Sequence, residues 1–460
     1  MESGVRTSGL RLWASAAVCL LVALLLAPAA DAKTTRHPIL FVHGVEGTGA
    51  QFESQAMRFT SNGYPHSWID EVDYDSTRAS GDQSQVQAQI DAKIAELKRR
   101  TGAKKIDLVG HSLGTIVSYD YLTDSTKGAQ RRANIAHYVN IDGQSSNPGV
   151  PTLALWAGRR AGTMTGSVTT PHMAGAKNVT IPNQTHVQTC TSSQSFVQMY
   201  KFFNRRRAAV DILRQRGRIR IAGRALTFPQ NVGLAGTTVQ IWQLKPNGQR
   251  ATETPHSSLQ ITDGSQGGGG WGPVAVQAGR RYEFALVRSG NPTLHIYYEP
   301  FVRSDYTLRL LGSDALTAYT GNRPGSVSSV SIRYKELWGD VPGQTDVLRI
   351  NGTSVCTAAL CPWTRQVNAY FAFDDNRNGH TDFTSDPVIG NLPFIAAADV
   401  FMPSSPTAAG TTTFQLRSRG AGPVRTVKTP NWDSLGGGPI VQWRDFEPRE
   451  VTSPRGRKKH

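Results

Sequence analysis

The sequence predicts an α/β fold, a mostly parallel sheet with helices on both faces, followed by a C-terminal all-β region of sandwich or barrel type. Short apolar runs alternate with helical stretches from Pro38 to about Gln215. Beyond Arg216 helical periodicity nearly disappears, and short alternating strands are broken by Gly, Pro, Asn and Asp. A single Gly-rich turn, Gly110 to Gly114, joins an apolar strand directly to a helix.

Taken in order, Ile39 to Val42 reads as a buried strand, and a second strand ends near Tyr74. Val86, Ile90, Ile94 and Leu97 recur at helical spacing, with Lys98, Arg99 and Arg100 at the carbonyl end of the dipole and Gly102 as the stop. Ile106 to Val109 is a strand, Thr115 to Leu122 a helix, and Ala136 to Ile141 and Thr152 to Trp156 further strands. Val179 to Pro182 is strand-like, and Phe196 to Phe203 is a closing helix. In the β region Arg218 to Ala222, Val239 to Trp242 and Tyr282 to Val287 alternate like half-buried strands, while Gly267 to Gly270 reads as a flexible loop.

With 460 residues the chain has room for two or three domains. The expected division is a signal peptide over 1–32, a catalytic α/β domain over 33–215, a β-rich region of one or two modules over 216–447, and a basic tail over 448–460. Arg6 and Arg11 precede an apolar run from Ala16 to Ala27, then Pro28 and the small-x-small triplet Ala30-Asp31-Ala32. Cleavage near Ala32, secretion, and no transmembrane segment after processing are therefore expected. Loss of Cys19 would leave Cys190, Cys356 and Cys361, of which the last two are close enough in sequence to close a small loop. The formal charge of +16 favours anionic lipid interfaces or polyanions as surroundings and carries no information on fold.

Gly110-His111-Ser112-Leu113-Gly114 is a G-x-S-x-G string in the strand-turn-helix setting of a nucleophile elbow, the signature of the α/β-hydrolase fold. A serine hydroxyl needs a base, and the base needs a group that fixes its tautomer. In this fold the order is Ser, acid, His. Between Ser112 and His186 the carboxylates are Asp120, Asp124 and Asp142; the first two belong to the helix leaving the elbow, and Asp142 ends a strand before Gly143. His137 lies at the wrong end of its strand and His172 in a Gly/Thr-rich loop, whereas His186 follows a strand-like run and precedes the last helix. Ser112 as nucleophile, Asp142 as acid and His186 as base follow by elimination. Oxyanion donors are expected from the N–H groups of Leu113 and of Val45, in the loop His43-Gly44-Val45-Glu46-Gly47.

These residues resemble a known family. Gly49 to Gln55 with Met57-Arg58-Phe59 and Asn62-Gly63-Tyr64-Pro65, Gly110 to Gly114, Ile141-Asp142-Gly143 with Pro151 to Ala154, and Thr185 to Gln188 look like the archaeal long-chain carboxylester lipases. Members of that family join an α/β-hydrolase domain to a C-terminal β-barrel domain. The resemblance runs on from Arg218 to about Gly233, then becomes diffuse. It implies the same triad and the same oxyanion positions. It also implies a lid between the strand ending near Tyr74 and the helix beginning near Ser84, but here only about ten residues, Asp75 to Ser84, occupy that place. An open site with little interfacial activation, accessible to bulky or polymeric esters, is the expectation.

Asp374, Asn376, Asn378 and Asp382 alternate around Gly379 as in calcium loops, without an acidic residue at the twelfth position; a polar turn is preferred and a structural Ca2+ is the alternative. No other cofactor is required. Arg205 to Arg224 contains eight arginines without interleaved aromatics, which favours a solvated helix and linker face over nucleic-acid binding. The expected function is a secreted serine ester hydrolase, a lipase or carboxylesterase acting on a lipid or ester substrate that can be insoluble or interfacial. Polyester cleavage, acyl transfer or amide hydrolysis on the same triad, or a non-catalytic binding protein, are the rivals.

Overall fold

The computed structural model describes Met1 and residues 36–79, 81–160, 171–419 and 422–454. The expected signal segment, its cleavage site near Ala32 and residues 455–460 of the basic tail lie outside them. No helix among the described residues is long and apolar enough to cross a membrane. The described residues from His37 onward form one compact unit.

The chain begins this unit with six parallel strands, β1 (Ile39–Val42), β2 (Ile69–Val72), β3 (Ile106–His111), β4 (Ile135–Ile141), β5 (Thr152–Ala157) and β6 (Lys177–Ile181), in the spatial order β2-β1-β3-β4-β5-β6. Among the described residues six α-helices accompany them: α1 (Glu53–Ser61), α2 (Ser84–Thr101), α3 (Leu113–Thr123), α4 (Gly128–Ala133), α5 (His186–Thr191) and α6 (Ser193–Asn204). Because side chains alternate across a strand, Ile39 and Phe41 pack with Phe59 of α1 and Phe196, Met199 and Phe203 of α6. Leu40 and Val42 pack on the opposite face with Ile90 and Ile94 of α2 and Val117 and Tyr121 of α3. Both faces are covered, which is why these strands read as continuous apolar runs. Helix α2 buries the four residues expected of it and stops at Gly102, whose φ of 70° lets its N–H reach the Lys98 carbonyl.

The rest of the chain forms several mixed or antiparallel sheets. The largest has eight strands, ordered Ser257–Gln260, Thr238–Leu244, Arg281–Val287, Leu294–Tyr298, Pro439–Gln442, Ser329–Leu337, Val367–Phe373 and Ile395–Asp399. A three-stranded sheet runs Gly270–Gln277, Arg218–Thr227, Asp305–Gly312, and a four-stranded one Thr353–Ser354, Val347–Ile350, Thr411–Arg417, Arg425–Pro430. Helix Asp314–Gly321 interrupts the β region; Ser313 caps it by accepting from the Leu316 N–H. Its short Thr-rich sequence hides it from periodicity. The arginine run is not one linker face: Arg218 and Arg220 point outward from a strand whose Ile219 and Ile221 are buried, and Arg224 turns inward to Asp70 and Asp73. The Gly267 to Gly270 loop serves close packing, since a Cβ at Gly267 would come within 2.8 Å of the Asp73 carbonyl oxygen.

Buried ion pairs join the two parts. Arg309, on strand Asp305–Gly312, donates to Asp73 Oδ2 at 2.8 Å and Glu71 Oε2 at 3.1 Å, both at the end or just beyond edge strand β2. Arg58 of α1 reaches Asp211 at 2.5 Å and Glu450 at 3.0 Å. Asn231 Nδ2 donates to the carbonyls of Gly47 and Tyr74, each at 2.9 Å. Cys356 and Cys361 form a disulfide, and Cys190 is a buried free thiol.

Arg309→Met strands two buried carboxylates and is expected to lower stability by roughly 3–5 kcal/mol in urea unfolding. Arg99→Met, which removes a surface pair with Glu96 on the same helix, is expected to leave the midpoint unchanged.

Candidate active site

The turn between β3 and α3 holds Ser112 at φ 54° and ψ −123°, a conformation an L-residue keeps only where its surroundings impose it. The glycines explain how the turn fits. A Cβ on Gly114 would lie 2.3 Å from the Val42 carbonyl oxygen, so the helix start sits directly against the end of β1.

Asp142 follows β4 in a left-handed conformation, φ 47°, and its N–H bonds the Leu155 carbonyl of the next strand at 2.8 Å. Its Oδ2 meets His186 Nδ1 at 2.8 Å, and its Oδ1 accepts from the Ala157 N–H at 2.9 Å and Arg160 Nη2 at 2.8 Å. Burial pushes this carboxyl up, but His186, the Ala157 N–H and Arg160 outweigh it and hold Asp142 below the usual range. His186 opens α5 rather than sitting in a loop ahead of the last helix; Thr185 is the N-cap. Asp120 and Asp124 belong to α3 and its end, and His137 bonds Asp107 at 2.8 Å near the amino ends of β3 and β4, away from Ser112 and Asp142 at their carboxyl ends.

Behind Ser112, His111 bridges two segments. Gln51 Nε2 lies 2.9 Å from its Nδ1, and its Nε2 lies 3.1 Å from the His186 carbonyl oxygen. An amide N–H on Nδ1 requires the proton on Nε2, which then donates to that carbonyl. Burial, then the neighbouring His186, push the His111 imidazole down to about 3, so it stays neutral. Gln51 Oε1 accepts from the Gly44 N–H at 3.3 Å. In the same loop the Glu46 N–H donates to Ser76 Oγ at 2.7 Å and the Gly47 N–H to the Gly44 carbonyl at 3.2 Å. Val45 is the loop residue left with an uncommitted N–H among the described residues. Leu113 opens α3, where the first N–H groups have no acceptor within the helix.

Ser112, His186, Val45 and Gly44 line one cavity, and most of the rest of its wall comes from the β region. Val330, Ile332, Phe371, Phe394 and Ile440 line it, with Leu316 from helix Asp314–Gly321. Several of its hydroxyls are turned to the protein: Thr317 and Thr320 donate to carbonyls one turn back, and Ser434 to the Arg323 carbonyl. Apolar groups make up most of the surface that the lining exposes. Local sequence pattern gives no sign of these residues, since they converge from strands far apart in the chain. Ser76, in the short Asp75 to Ser84 segment, accepts through its hydroxyl from the Glu46 N–H.

The candidate cation loop is self-satisfied. Asp374 accepts from the Asn378 and Gly379 N–H groups at 3.1 Å, Asn378 Oδ1 from the His380 N–H at 2.7 Å, and Asn376 Nδ2 donates to Asp382 at 3.1 Å. No group of three or more His, Cys, Asp or Glu among the described residues is placed to share a metal ion.

Three segments of the chain match known domain families. Residues 36–142 match the family model for class 2 lipases, and residues 217–315 the model for the lipase C-terminal domain. The chain carries lipase domains. A further C-terminal-domain model covers residues 315–447. By its matched domains it is a carboxylic ester hydrolase. Solved structures similar to it include Aspergillus fumigatus lipase B, 11% identical over 37% of this chain and 53% of the other, with a TM-score of 0.28. The Bacillus cereus carboxylesterase is 10% identical over 38% of this chain and 90% of the other, with a TM-score of 0.24. A Legionella pneumophila phospholipase is 8% identical over 60% of this chain and 93% of the other, with a TM-score of 0.25. Likenesses so distant carry no argument about substrate.

Because the Asp142 carboxyl is held low in the folded chain, the stability it contributes is present above the unfolded value of about 4 and is lost as pH falls through the folded value. Asp142→Asn is expected to cost more stability at neutral pH than at about pH 3. Equal costs in urea unfolding at both pH values would contradict that electrostatic account.

Proposed function

We propose that this chain is a secreted serine lipase that cleaves acyl esters through Ser112, His186 and Asp142. What carries the reading is the bond between His186 Nδ1 and Asp142 Oδ2 at 2.8 Å, with His186 and the strained residue Ser112 lining one cavity. Acceptance by Asp142 fixes the His186 proton on Nδ1 and leaves Nε2 as the base. Ser112 Oγ attacks the ester carbonyl carbon and gives its proton to His186 Nε2. The tetrahedral oxyanion takes hydrogen bonds from the N–H groups of Val45 and Leu113. Collapse breaks the bond to the alcohol oxygen, which leaves with the proton from Nε2. Water then repeats the sequence on the acyl-enzyme, releasing the acid and restoring Ser112. No metal takes part in these steps.

The apolar wall supplied by Val330, Ile332, Phe371 and Phe394 supports a long acyl chain as the group held beyond Ser112. In this reading residues 33–215 are the catalytic domain and residues 216–447 complete the substrate cavity, after removal of the leader near Ala32 on export.

Ser112→Ala is expected to abolish hydrolysis of p-nitrophenyl esters of every chain length, falling by about 10⁴-fold or more. Parent-like activity in that variant would end the reading. Val330→Trp fills the cavity and is expected to lower kcat/KM for long-chain esters by roughly 10-fold or more against short-chain ones. An unchanged chain-length profile would place the acyl group elsewhere.

A further inference from the structure

Glu336 combines three features that each disfavour the folded state. It is a carboxylate with no solvent exposure. Its φ is 70°, in the left-handed region that a Glu rarely occupies. It also lies where the pairing of Ser329–Leu337 with Val367–Phe373 slips, between Ile332↔Ala369 and Leu337↔Val367. Such costs persist where the surroundings over-determine them, and they concentrate at functional sites.

The contacts of Glu336 lead to the site. Oε2 accepts from Trp338 Nε1 at 2.6 Å, and Oε1 accepts from the Thr185 hydroxyl. The Gln188 N–H bonds the same carboxyl, and Arg419 sets its charge nearby while donating to the Glu336 carbonyl at 3.0 Å. Thr185 is the N-cap of α5 and Gln188 lies in its first turn, so the two residues flank His186. From the other side His111 Nε2 holds the His186 carbonyl at 3.1 Å. The peptide carrying the imidazole is thus gripped from the nucleophile turn and from the β region, while Asp142 holds the ring. Rotation of the first turn of α5 would swing Nε2 away from Ser112 even with the Asp142 bond intact.

We infer that Glu336 is a positioning residue for His186: by holding Thr185 and Gln188 it fixes the first turn of α5, which makes the β region part of the catalytic apparatus as well as a wall for substrate. This rests on the reading of His186 as the base. It implies that even an ester too short to touch the β region depends on Glu336.

The test measures kcat and KM of the full chain on p-nitrophenyl acetate and on a long-chain ester, with Ser112→Ala as reference. Glu336→Ala is expected to lower kcat on both esters alike, by roughly 10- to 100-fold, as small misplacements of a catalytic group do. KM for acetate is expected to stay within about 2-fold. Glu336→Gln is expected to recover most of the rate, because its NH2 can donate to the Thr185 hydroxyl while its oxygen accepts from Trp338. Thr185→Val is expected to lose kcat like Glu336→Ala, and the double variant to be no worse than the weaker single variant, as for two partners in one contact. A kcat on acetate within about 2-fold of the parent, in a Glu336→Ala protein with native near-ultraviolet circular dichroism, overturns the inference. So does a loss confined to the long-chain ester. Should Glu336→Ala not fold, an unchanged kcat in Thr185→Val overturns it instead. Activity retained in Ser112→Ala removes the triad and this inference with it, whereas a dead Ser112→Ala beside an undisturbed Glu336→Ala removes this inference alone.

Discussion

The guanidinium of Arg309 sits buried with Asp73 and Glu71, and the rest of the molecule is arranged around that cluster. An open parallel sheet ends in an edge strand, here β2, whose outer side and carboxylates need a neighbour. The three-stranded sheet supplies one: Arg309 and Arg224 both reach the Asp70 to Asp73 stretch. Asp73 also accepts from the Gly49 N–H at 2.7 Å, which ties the same cluster to the chain that runs on from the Gly44–Gly47 loop beside Ser112. Burial alone would drive Asp73 towards protonation, but Arg309 and then Arg224 hold it well below the usual carboxylate range. Since removing either sign leaves the other buried and unpaired, the two parts of the unit are held in one relative placement. The cavity above Ser112, with walls from both, depends on that placement.

What could be read from the sequence was whatever periodicity or a turn encodes locally. The strands around Ile39, Ile106, Ala136 and Thr152 and the stripe Val86, Ile90, Ile94, Leu97 are local patterns, and each recurs in the fold. Asp142 was legible because a carboxylate ending a buried strand before Gly is an unusual combination, and the fold brings it to 2.8 Å from His186. Helix Asp314–Gly321 was not legible, because eight residues rich in Thr and Ala carry no apolar stripe. His186 was placed before a helix when it begins one, because α5 and α6 are separated only by Ser192, which acts as C-cap of one and N-cap of the other.

Long-range partners were the larger omission. Arg160, Gln51, Glu336 and the apolar wall from Val330 to Ile440 act on the site through contacts that cross tens to hundreds of positions. Nothing in the neighbourhood of Glu336 distinguishes it from a surface residue of an amphipathic strand; its meaning lies in the slipped register and in Thr185 opposite. The calcium-like spacing at Asp374 illustrates the converse. Alternating oxygen side chains suit a cation, and they equally suit the backbone N–H groups of a tight polar turn, which they accept here.

The eight-stranded sheet places Pro439–Gln442 between Leu294–Tyr298 and Ser329–Leu337, parallel to both. A strand from late in the sequence is therefore a keystone and not a trim. Until it inserts, the two halves of that sheet have no hydrogen-bonded connection through their middle, and the cavity lacks Pro439 and Ile440 from its wall. Completion of the cavity is therefore coupled to the placement of a strand that follows both of its sheet neighbours in the sequence.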